Sequence, residues 1–224
     1  MASDLDICDE KIFQRNRLPA RSYYIPPSSL LLNGTWDFHY APTPKHAPLP
    51  AQSNTPTSEL GTKEGYVNVP PTANKQIETI PDDEVEWGHI TVPGHWQLQG
   101  HGRPQYTNTI FPFPVCPPHV PTENPTGTYR RSFQVPKSWD KSSQLRLRFD
   151  GVDSAFHVWV NGQFVGYSQG SRNAAEFDVS TFVNRGSANE VWVRVYQWCD
   201  GSYIEDQDQW WLSGKFELYE RLYD

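Results

Sequence analysis

The sequence predicts an all-β protein, built as a jelly-roll β-sandwich of the galactose-binding-domain type. Apolar residues alternate with polar ones over several short runs, no window shows a long apolar stripe at helical spacing, and the chain carries 20 prolines. Alternation with a period of two is typical of half-buried strands, and proline is excluded from helix interiors. Strands that recur at short intervals, with turn signals between them, indicate a sandwich.

The length fits one large domain with an irregular amino-terminal arm, because all-β domains often reach about 200 residues. Residues 1–31 mix charges with prolines and are predicted to wrap over the body as the arm. Residues 32–224 are predicted to form the sandwich domain. Within it, residues 41–65 are rich in Pro, Thr, Ser and Ala and lack an apolar period, which predicts a flexible surface loop.

The strand prediction rests on four alternating runs, which are 32–40, 144–150, 156–160 and 190–196. Asn161-Gly162 follows the third run directly and is typical of a type I′ hairpin turn. The fourth run places three valines on one face and Trp192, Arg194 and Tyr196 on the other. The sequence therefore predicts an amphipathic strand at this position.

Charge and cysteine usage narrow the functional classes. The formal net charge is −7, and the densest basic spot, Arg130-Arg131, lies within an alternating run. We interpret this pair as a solvated strand face and expect no nucleic-acid partner. No stretch approaches the roughly 20 apolar residues of a membrane span, and no signal peptide is visible. Three cysteines without a Cys-x-x-Cys pair fit a reducing compartment, so we expect a cytoplasmic protein.

The densest group of candidate site residues lies between 198 and 211. This stretch holds four carboxylates and four large aromatic rings directly after a predicted strand. Carboxylates accept hydrogen bonds from hydroxyl groups, and indole faces stack on the apolar face of a pyranose ring, so the combination predicts a sugar site. Glu205 and Asp206 are adjacent, whereas hydrolytic carboxylates face each other across a bond at about 5–9 Å. We therefore assign neither residue a catalytic role.

Several ordered runs carry a family likeness. The most specific are VPGHWQ at 92–97, VPTENPTG at 120–127 and FDGVDSAFH at 149–157, together with Tyr106-Thr107-Asn108 and the segment 200–210. With these runs the chain resembles the amino-terminal sugar-binding domain of glycoside hydrolase family 2, and within it the large intracellular β-galactosidases. The likeness covers roughly residues 12–214.

The resemblance implies a jelly-roll domain that is followed, in intact relatives, by a second sandwich and a (β/α)₈ barrel. Two glutamates of that barrel act as acid/base and nucleophile in the retaining hydrolysis of β-galactosides such as lactose. We expect this chain to lack the barrel, and with it the catalytic residues and most ligands of the parent's Mg²⁺. The resemblance also implies that Asn108 and Asp208 bind the galactosyl group and that Asp208 binds Na⁺, a hard ion suited to carboxylate oxygen.

Other polar and aromatic residues carry weaker expectations. His95 and His157 are predicted to be hydrogen-bonded packing residues rather than bases or metal ligands. Gln169 and Asp200 match divalent-cation positions of some relatives, but two scattered oxygens are a weak signal. For Trp96, Trp210 and Trp211, sugar stacking and core packing both stay open, and Glu123 and Asn124 suggest a role in subunit packing.

Three alternatives to a truncated β-galactosidase domain stay open at this point. The chain is alternatively a stand-alone carbohydrate-binding module, a subunit that complements a barrel-containing chain, or a non-functional product. The residues after Ser213-Gly214 depart from the pattern of the family. The sequence therefore leaves the last strand of the sandwich open.

Overall fold

Two antiparallel sheets face each other across an apolar core. The computed structural model describes residues 3–22, 24, 26–51, 62, 63, 66, 67, 85–105, 112–205 and 220–223. Within these ranges the chain is almost entirely strand, turn and loop, with one short α-helix, α1 (Ser202–Glu205). The predicted all-β sandwich is confirmed.

The described strands are β1 (Gln14–Arg15), β2 (Ser29–Leu31), β3 (Gly34–Ala41), β4 (Thr62–Lys63), β5 (Tyr66–Val67), β6 (Gly88–Val92), β7 (Thr126–Gln134), β8 (Arg146–Phe149), β9 (Ala155–Val160), β10 (Gln163–Gln169), β11 (Ala175–Asp178), β12 (Ala188–Tyr196) and β13 (Glu220–Tyr223). The larger sheet has the order β1-β10-β9-β12-β7-β3-β6, and the smaller has the order β11-β8-β13-β2. Strands β4 and β5 pair with each other. Short 3-10 helices span Asp4–Cys8, Pro44–His46 and Trp96–Gln99.

The four alternating runs become β3, β8, β9 and β12, and the predicted hairpin joins β9 to β10. Asn161 and Gly162 have φ angles of 51° and 76°. Both values lie in the left-handed region, which a type I′ turn requires and which asparagine and glycine adopt at low cost. The last strand, which the sequence leaves open, is present as β13 between β8 and β2.

Aromatic rings dominate the core between the two sheets. Trp36 and Tyr129 of the larger sheet meet edge to face, with ring centroids 6.4 Å apart. Phe149 and Phe177 of the smaller sheet do the same at 6.1 Å. All four side chains are fully buried. Edge-to-face contacts of this kind add about 0.5–1.5 kcal/mol beyond the area that they bury.

The larger sheet is covered on its outer face as well. The valines of β12 point into the core, as predicted, but Trp192, Arg194 and Tyr196 on the opposite face are also buried. Arg194 donates a hydrogen bond to the carbonyl of Pro44, in the loop after β3. Tyr196 packs in an apolar cluster with Ile7 of the arm. Two segments that are distant in sequence therefore make this strand internal on both faces.

The arm belongs to both sheets. Its strand β1 pairs with β10 at the edge of the larger sheet, and Arg17 forms a bridge with Phe177 of the smaller sheet. The N–H of Leu18 donates to the carbonyl of Glu176 at 2.8 Å. Further along, β2 pairs with β13. The predicted wrapping segment thus crosses one side of the sandwich and supplies a strand to each sheet.

A buried polar network fastens the arm to the larger sheet. The Asp6 carboxylate is 1% exposed and accepts hydrogen bonds from Arg15 Nε and Nη2 at 2.7 and 2.8 Å. His157 Nε2 lies 3.2 Å from Asp6, and its Nδ1 lies 2.9 Å from the Tyr196 hydroxyl. Because an ionised carboxylate only accepts hydrogen bonds, Nε2 carries the proton. His157 is therefore a hydrogen-bonded packing residue, as predicted.

A second ionic cluster fastens the arm to the smaller sheet. Glu176 of β11 is 5% exposed. Its carboxylate accepts two hydrogen bonds from Arg21 of the arm, at 2.8 and 3.0 Å. Arg148 and Arg146 of β8 donate to the same carboxylate at 2.9 and 3.3 Å. One buried acid thus holds the arm and two neighbouring strands together.

The arginine pair of β7 differs from its interpretation as a solvated strand face. Both residues are half-buried. The Arg130 guanidinium lies 4.3 Å from the centroid of the Trp87 ring and 3.2 Å from the Asp37 carboxylate. Arg131 donates to the carbonyls of Leu32 and Asn33 at 2.8 and 2.9 Å. These long side chains fasten β7 to its surroundings and cover apolar surface.

Candidate functional site

The chain leaves the larger sheet at the end of β12, and a buried asparagine fixes its exit. Asn124 is 1% exposed. Its side-chain amide donates to the Trp198 carbonyl and its side-chain oxygen accepts from the Trp198 N–H, both at 2.9 Å. The Asn124 side chain thus satisfies the backbone N–H and carbonyl of Trp198, which have no strand partner after the end of β12. The suggested role of Asn124 in subunit packing is wrong, because the side chain is internal.

A small cluster of hydroxyl and thiol groups then positions α1. Ser202 Oγ accepts from the Cys199 N–H at 3.1 Å, and it lies 3.0 Å from Ser154 Oγ. Ser154 Oγ is also 3.0 Å from Cys199 Sγ. All three side chains are buried. The first turn of α1 is therefore fixed against the loop between β8 and β9.

An aromatic anchor joins α1 to the loop 112–120. We use the name anchor cluster for Phe113, Trp198 and Tyr203, whose rings meet edge to face. The centroid of Phe113 lies 5.2 Å from that of Trp198 and 5.6 Å from that of Tyr203. The Tyr203 hydroxyl accepts from the Cys116 N–H at 3.2 Å and donates to the His119 carbonyl. Two chain segments that are far apart in sequence are thus held together at this end of the sandwich.

The predicted sugar ligands lie just beyond the anchor cluster along the chain. Asn108 and Asp208 fall outside the described residues, as do Asp206, Trp210 and Trp211. Their roles in binding galactose and Na⁺ stay predictions. What the structure describes is the scaffold from which the two segments depart, with Phe113 on one segment and Tyr203 on the other.

Gln169 and Asp200, which the sequence treats as scattered, are hydrogen-bonded partners. The Gln169 side chain donates to the Asp200 carboxylate, and its Oε1 accepts from the Tyr167 hydroxyl at 2.8 Å. Asp200 Oδ1 also accepts from the Gly201 N–H at 2.9 Å. Burial raises the pKa of Asp200 above its ordinary value, and the bonds from Gln169 and Gly201 oppose that rise.

This pair does not by itself fit a divalent cation. The Gln169 amide is engaged on both sides, and one carboxylate supplies fewer oxygens than the six to eight that Ca²⁺ takes. In the part of the chain that the structure describes, no group of three or more His, Cys, Asp or Glu side chains is arranged to hold a metal ion. Cation binding at Gln169 and Asp200, which the resemblance implies, therefore stays a prediction.

Two further candidates, Trp96 and His95, are neighbours in the chain, and the first is structural. Trp96 is 1% exposed in the main core, where its ring meets Phe38 at 6.2 Å and Tyr40 at 5.8 Å. It is therefore a core ring and not a sugar platform. His95 precedes the 3-10 helix that Trp96 begins, and its carbonyl accepts from the Leu98 N–H at 3.2 Å. Its half-buried side chain as a packing residue stays a prediction.

Comparison with known families identifies the fold. Residues 30–221 match the model of the family described as glycosyl hydrolases family 2, sugar binding domain. The chain belongs to glycosyl hydrolase family 2. The matched range runs from β2 into β13 and includes every described strand except β1, together with the anchor cluster and the positions of both predicted sugar ligands.

Two relatives of this family 2 domain are β-galactosidases. The enzyme of Arthrobacter sp. strain B7 is 47% identical over 206 residues, which are 89% of this chain and 19% of that protein. The enzyme of Kluyveromyces lactis is 41% identical over 208 residues, which are 91% of this chain and 18% of that protein. The chain thus spans about a fifth of the length of these relatives.

A solved family member supports the architecture alone. The calcium-binding mutant of Bacteroides uniformis β-glucuronidase 2 superposes with a TM-score of 0.50 at 18% identity. The superposition covers 87% of this chain and 18% of that protein. Within the described residues of this family 2 chain, no helix has the length and apolar character needed to cross a bilayer.

Replacing the anchor tyrosine is expected to loosen the loop 112–120 of this family 2 domain. Tyr203→Phe keeps the ring contacts with Phe113 but removes the hydroxyl that bonds to Cys116 and His119. Loss of these hydrogen bonds should lower the free energy of unfolding by about 1–2 kcal/mol. Urea denaturation measures the change, and amide hydrogen exchange at Cys116 should become faster.

Tyr24→Phe is the matched control for this change, because Tyr24 is 58% exposed. It should leave both the unfolding midpoint and the exchange rate of Cys116 unchanged. Equal unfolding midpoints for Tyr203→Phe and the wild type would show that the hydroxyl does not hold the loop.

Proposed function

We propose that this chain forms one wall of a β-galactoside-binding site. In this proposal Asn108 and Asp208 bind galactosyl hydroxyls, and the Asp208 carboxylate also binds Na⁺. An amide both donates and accepts hydrogen bonds, while a carboxylate is a strong acceptor, so the pair suits the vicinal hydroxyls of a sugar. The similarity to two β-galactosidases over about nine-tenths of the chain supports the choice of sugar.

The anchor cluster is the observation that carries this proposal. Asn108 precedes Phe113 by five positions, and Asp208 follows Tyr203 by five positions. Five residues of extended chain reach at most about 18 Å. Since Phe113 and Tyr203 are in ring contact at 5.6 Å, covalent connectivity allows both proposed ligands to meet around one sugar.

Hydrolysis requires more than this wall. Retaining glycosidases place two carboxyl groups about 5–5.5 Å apart on either side of the glycosidic bond. Of the three buried acids among the described residues, Asp6 and Glu176 are bound by basic side chains inside the fold. The third, Asp200, is held by Gln169 and by the Gly201 N–H and has no second carboxylate of the described residues hydrogen-bonded to it. We therefore propose that the domain positions the galactosyl group, and that residues outside this chain supply acid/base and nucleophile.

The same proposal places the domain in a reducing, cytoplasmic compartment. Cys8, Cys116 and Cys199 are all free thiols. Burial raises the pKa of the Cys8 thiol to about 12, so it stays protonated and unreactive at neutral pH.

Galactose binding tests the proposal directly. The chain should bind galactose more tightly than its epimer glucose, and more tightly in NaCl than in KCl. Asp208→Asn and Asn108→Ala should each weaken galactose binding about tenfold or more, because each removes a hydrogen-bonding group from the sugar. Isothermal titration calorimetry and ¹H–¹⁵N NMR titration measure these affinities.

Asp140→Asn is the matched control, since Asp140 is an exposed aspartate at the opposite end of the sandwich. It should bind galactose as the wild type does. Binding that is unchanged in Asp208→Asn would overturn the assignment of the ligands. Turnover of nitrophenyl galactoside that appears only after mixing with a barrel-containing chain would identify the complementing-subunit form of the same function.

A further inference from the structure

A cavity lies at the end of the sandwich opposite the anchor cluster. It is a half-open pocket of about 380 Å³ between the loop that follows β7 and the turn that precedes β12. Strand β7 ends at Gln134 and β12 begins at Ala188, whereas the anchor cluster follows the other end of β12. A nine-residue strand spans about 30 Å. The cavity is therefore separate from the proposed galactoside site.

Rigid groups form the wall of this cavity. Trp139 lines it and also packs against the main core, which holds the indole in place. Pro136 lies beside it on the same wall. Arg185 Nη1 donates to the Asp140 carbonyl at 2.9 Å, and Nη2 donates to the Ser143 carbonyl. The guanidinium is thus fixed between the loop and the turn before any ligand arrives.

Among the described residues, the lining of this cavity includes three cationic side chains and no acid. Lys137, Lys141 and Arg185 contribute to its wall. Both lysines are exposed, and within the described part of the chain neither takes part in an ion pair. The nearby Asp140 is not part of the lining; its carboxylate accepts from the Ser142 N–H and hydroxyl at 2.9 and 2.8 Å, and these bonds together with the charge of Arg185 lower its pKa, so three cationic side chains stand against one acid here. In a chain of net charge −7, this is a local positive field that attracts anions.

We propose that this cavity binds a phosphorylated monosaccharide. The indole of Trp139 offers an apolar face for the C–H groups of a pyranose ring. Lys137 and Lys141 offer two point charges for a phosphate dianion, the role that lysine has in many phosphate sites. The volume lies at the lower end of the roughly 300–1,000 Å³ of small-ligand sites, so it suits one sugar unit with one phosphate.

The test compares three probes on the full chain: glucose 6-phosphate, glucose and inorganic phosphate. Glucose 6-phosphate should bind more tightly than either other probe and should shift the NMR signal of the Trp139 indole N–H. The double variant Lys137→Ala/Lys141→Ala should weaken that binding about tenfold or more, because it removes both charge-assisted contacts. Both lysines are exposed, so the variant should keep the fold.

Lys11→Ala/Lys45→Ala is the matched control, because it removes two exposed lysines elsewhere and changes the net charge equally. It should bind glucose 6-phosphate as the wild type does. The proposal is overturned if no saturable binding occurs up to about 10 mM, if the control weakens binding as much, or if inorganic phosphate binds as tightly as the sugar phosphate. Asp208→Asn should leave the binding of glucose 6-phosphate unchanged. A failure of the sugar-phosphate proposal can therefore be distinguished from a failure of the galactoside proposal.

Discussion

Glu176→Ala is expected to lower the free energy of unfolding by about 3–5 kcal/mol, since removing one partner of a buried ion pair is strongly destabilising. Three guanidinium groups converge on this one carboxylate, and that of Arg148 is itself only 5% exposed. The variant removes one of the two acids that pair with Arg148, the other being Asp150, and it removes the two hydrogen bonds that Arg21 of the arm donates to Glu176. Urea denaturation followed by far-UV circular dichroism and Trp fluorescence measures the loss.

Glu86→Ala is the control, because Glu86 is exposed. Its free energy of unfolding should lie within about 0.5 kcal/mol of that of the wild type. Glu176→Gln separates charge from shape, since the amide keeps an acceptor for one arginine. The free energy of unfolding of Glu176→Gln should fall between those of Glu176→Ala and the wild type. A Glu176→Ala protein as stable as the control would show that the arginines find other partners, and that this cluster does not hold the arm.

Asp6→Ala has the second large effect, a loss of about 3 kcal/mol that depends on pH. Burial alone would raise the pKa of Asp6, but hydrogen bonds from His157 and Arg15 hold that pKa below its ordinary value. A carboxyl group with a lowered folded-state pKa contributes stability above its unfolded pKa of about 3.9 and loses it as the pH falls through the folded value. The difference between the wild type and Asp6→Ala should therefore be full near pH 7 and shrink below about pH 4.

Equilibrium unfolding of both proteins between about pH 3 and pH 7 gives this difference directly. Asp200 contributes to the pH dependence of stability with the opposite sign, because burial raises its pKa. Since Asp200 is present in both proteins, its contribution cancels in the difference. Glu10→Ala, which removes an exposed acid of the same arm, is the matched control and should change the free energy of unfolding near pH 7 by no more than about 0.5 kcal/mol. A difference that grows on acidification would contradict the assigned direction of the Asp6 pKa.

The strands were predictable because their signal is local. Trp36, Phe38 and Tyr40 alternate within one strand, and Asn161-Gly162 sits at the turn it predicts. The covered outer face of β12 was not predictable in the same way. A strand with valines on one side and Trp192 and Arg194 on the other has the pattern of a half-exposed strand. Its cover comes from the arm and the loop after β3, more than 140 positions earlier.

The candidate site was likewise predictable only in part. Asn108 and Asp208 follow from family resemblance, because nothing in their local pattern distinguishes them from ordinary loop residues. The supports around them depend on tertiary contacts that no spacing reveals. The Asn124 side chain is hydrogen-bonded to the backbone of Trp198, which is 74 positions away. The Tyr203 hydroxyl is hydrogen-bonded to the backbone of Cys116 across 87 positions. Nothing in the local sequence around Asn124 indicated that its side chain is internal.

The pairing of β2 with β13 has a consequence for biosynthesis. Leu30 lies opposite Leu222, so the first of these strands leaves the ribosome 192 positions (222 minus 30) before its neighbour. At about 5–20 residues per second, that interval lasts roughly 10–40 s. Throughout it the nascent smaller sheet lacks the strand that separates β2 from β8, and chaperone binding during translation would be most useful in this window.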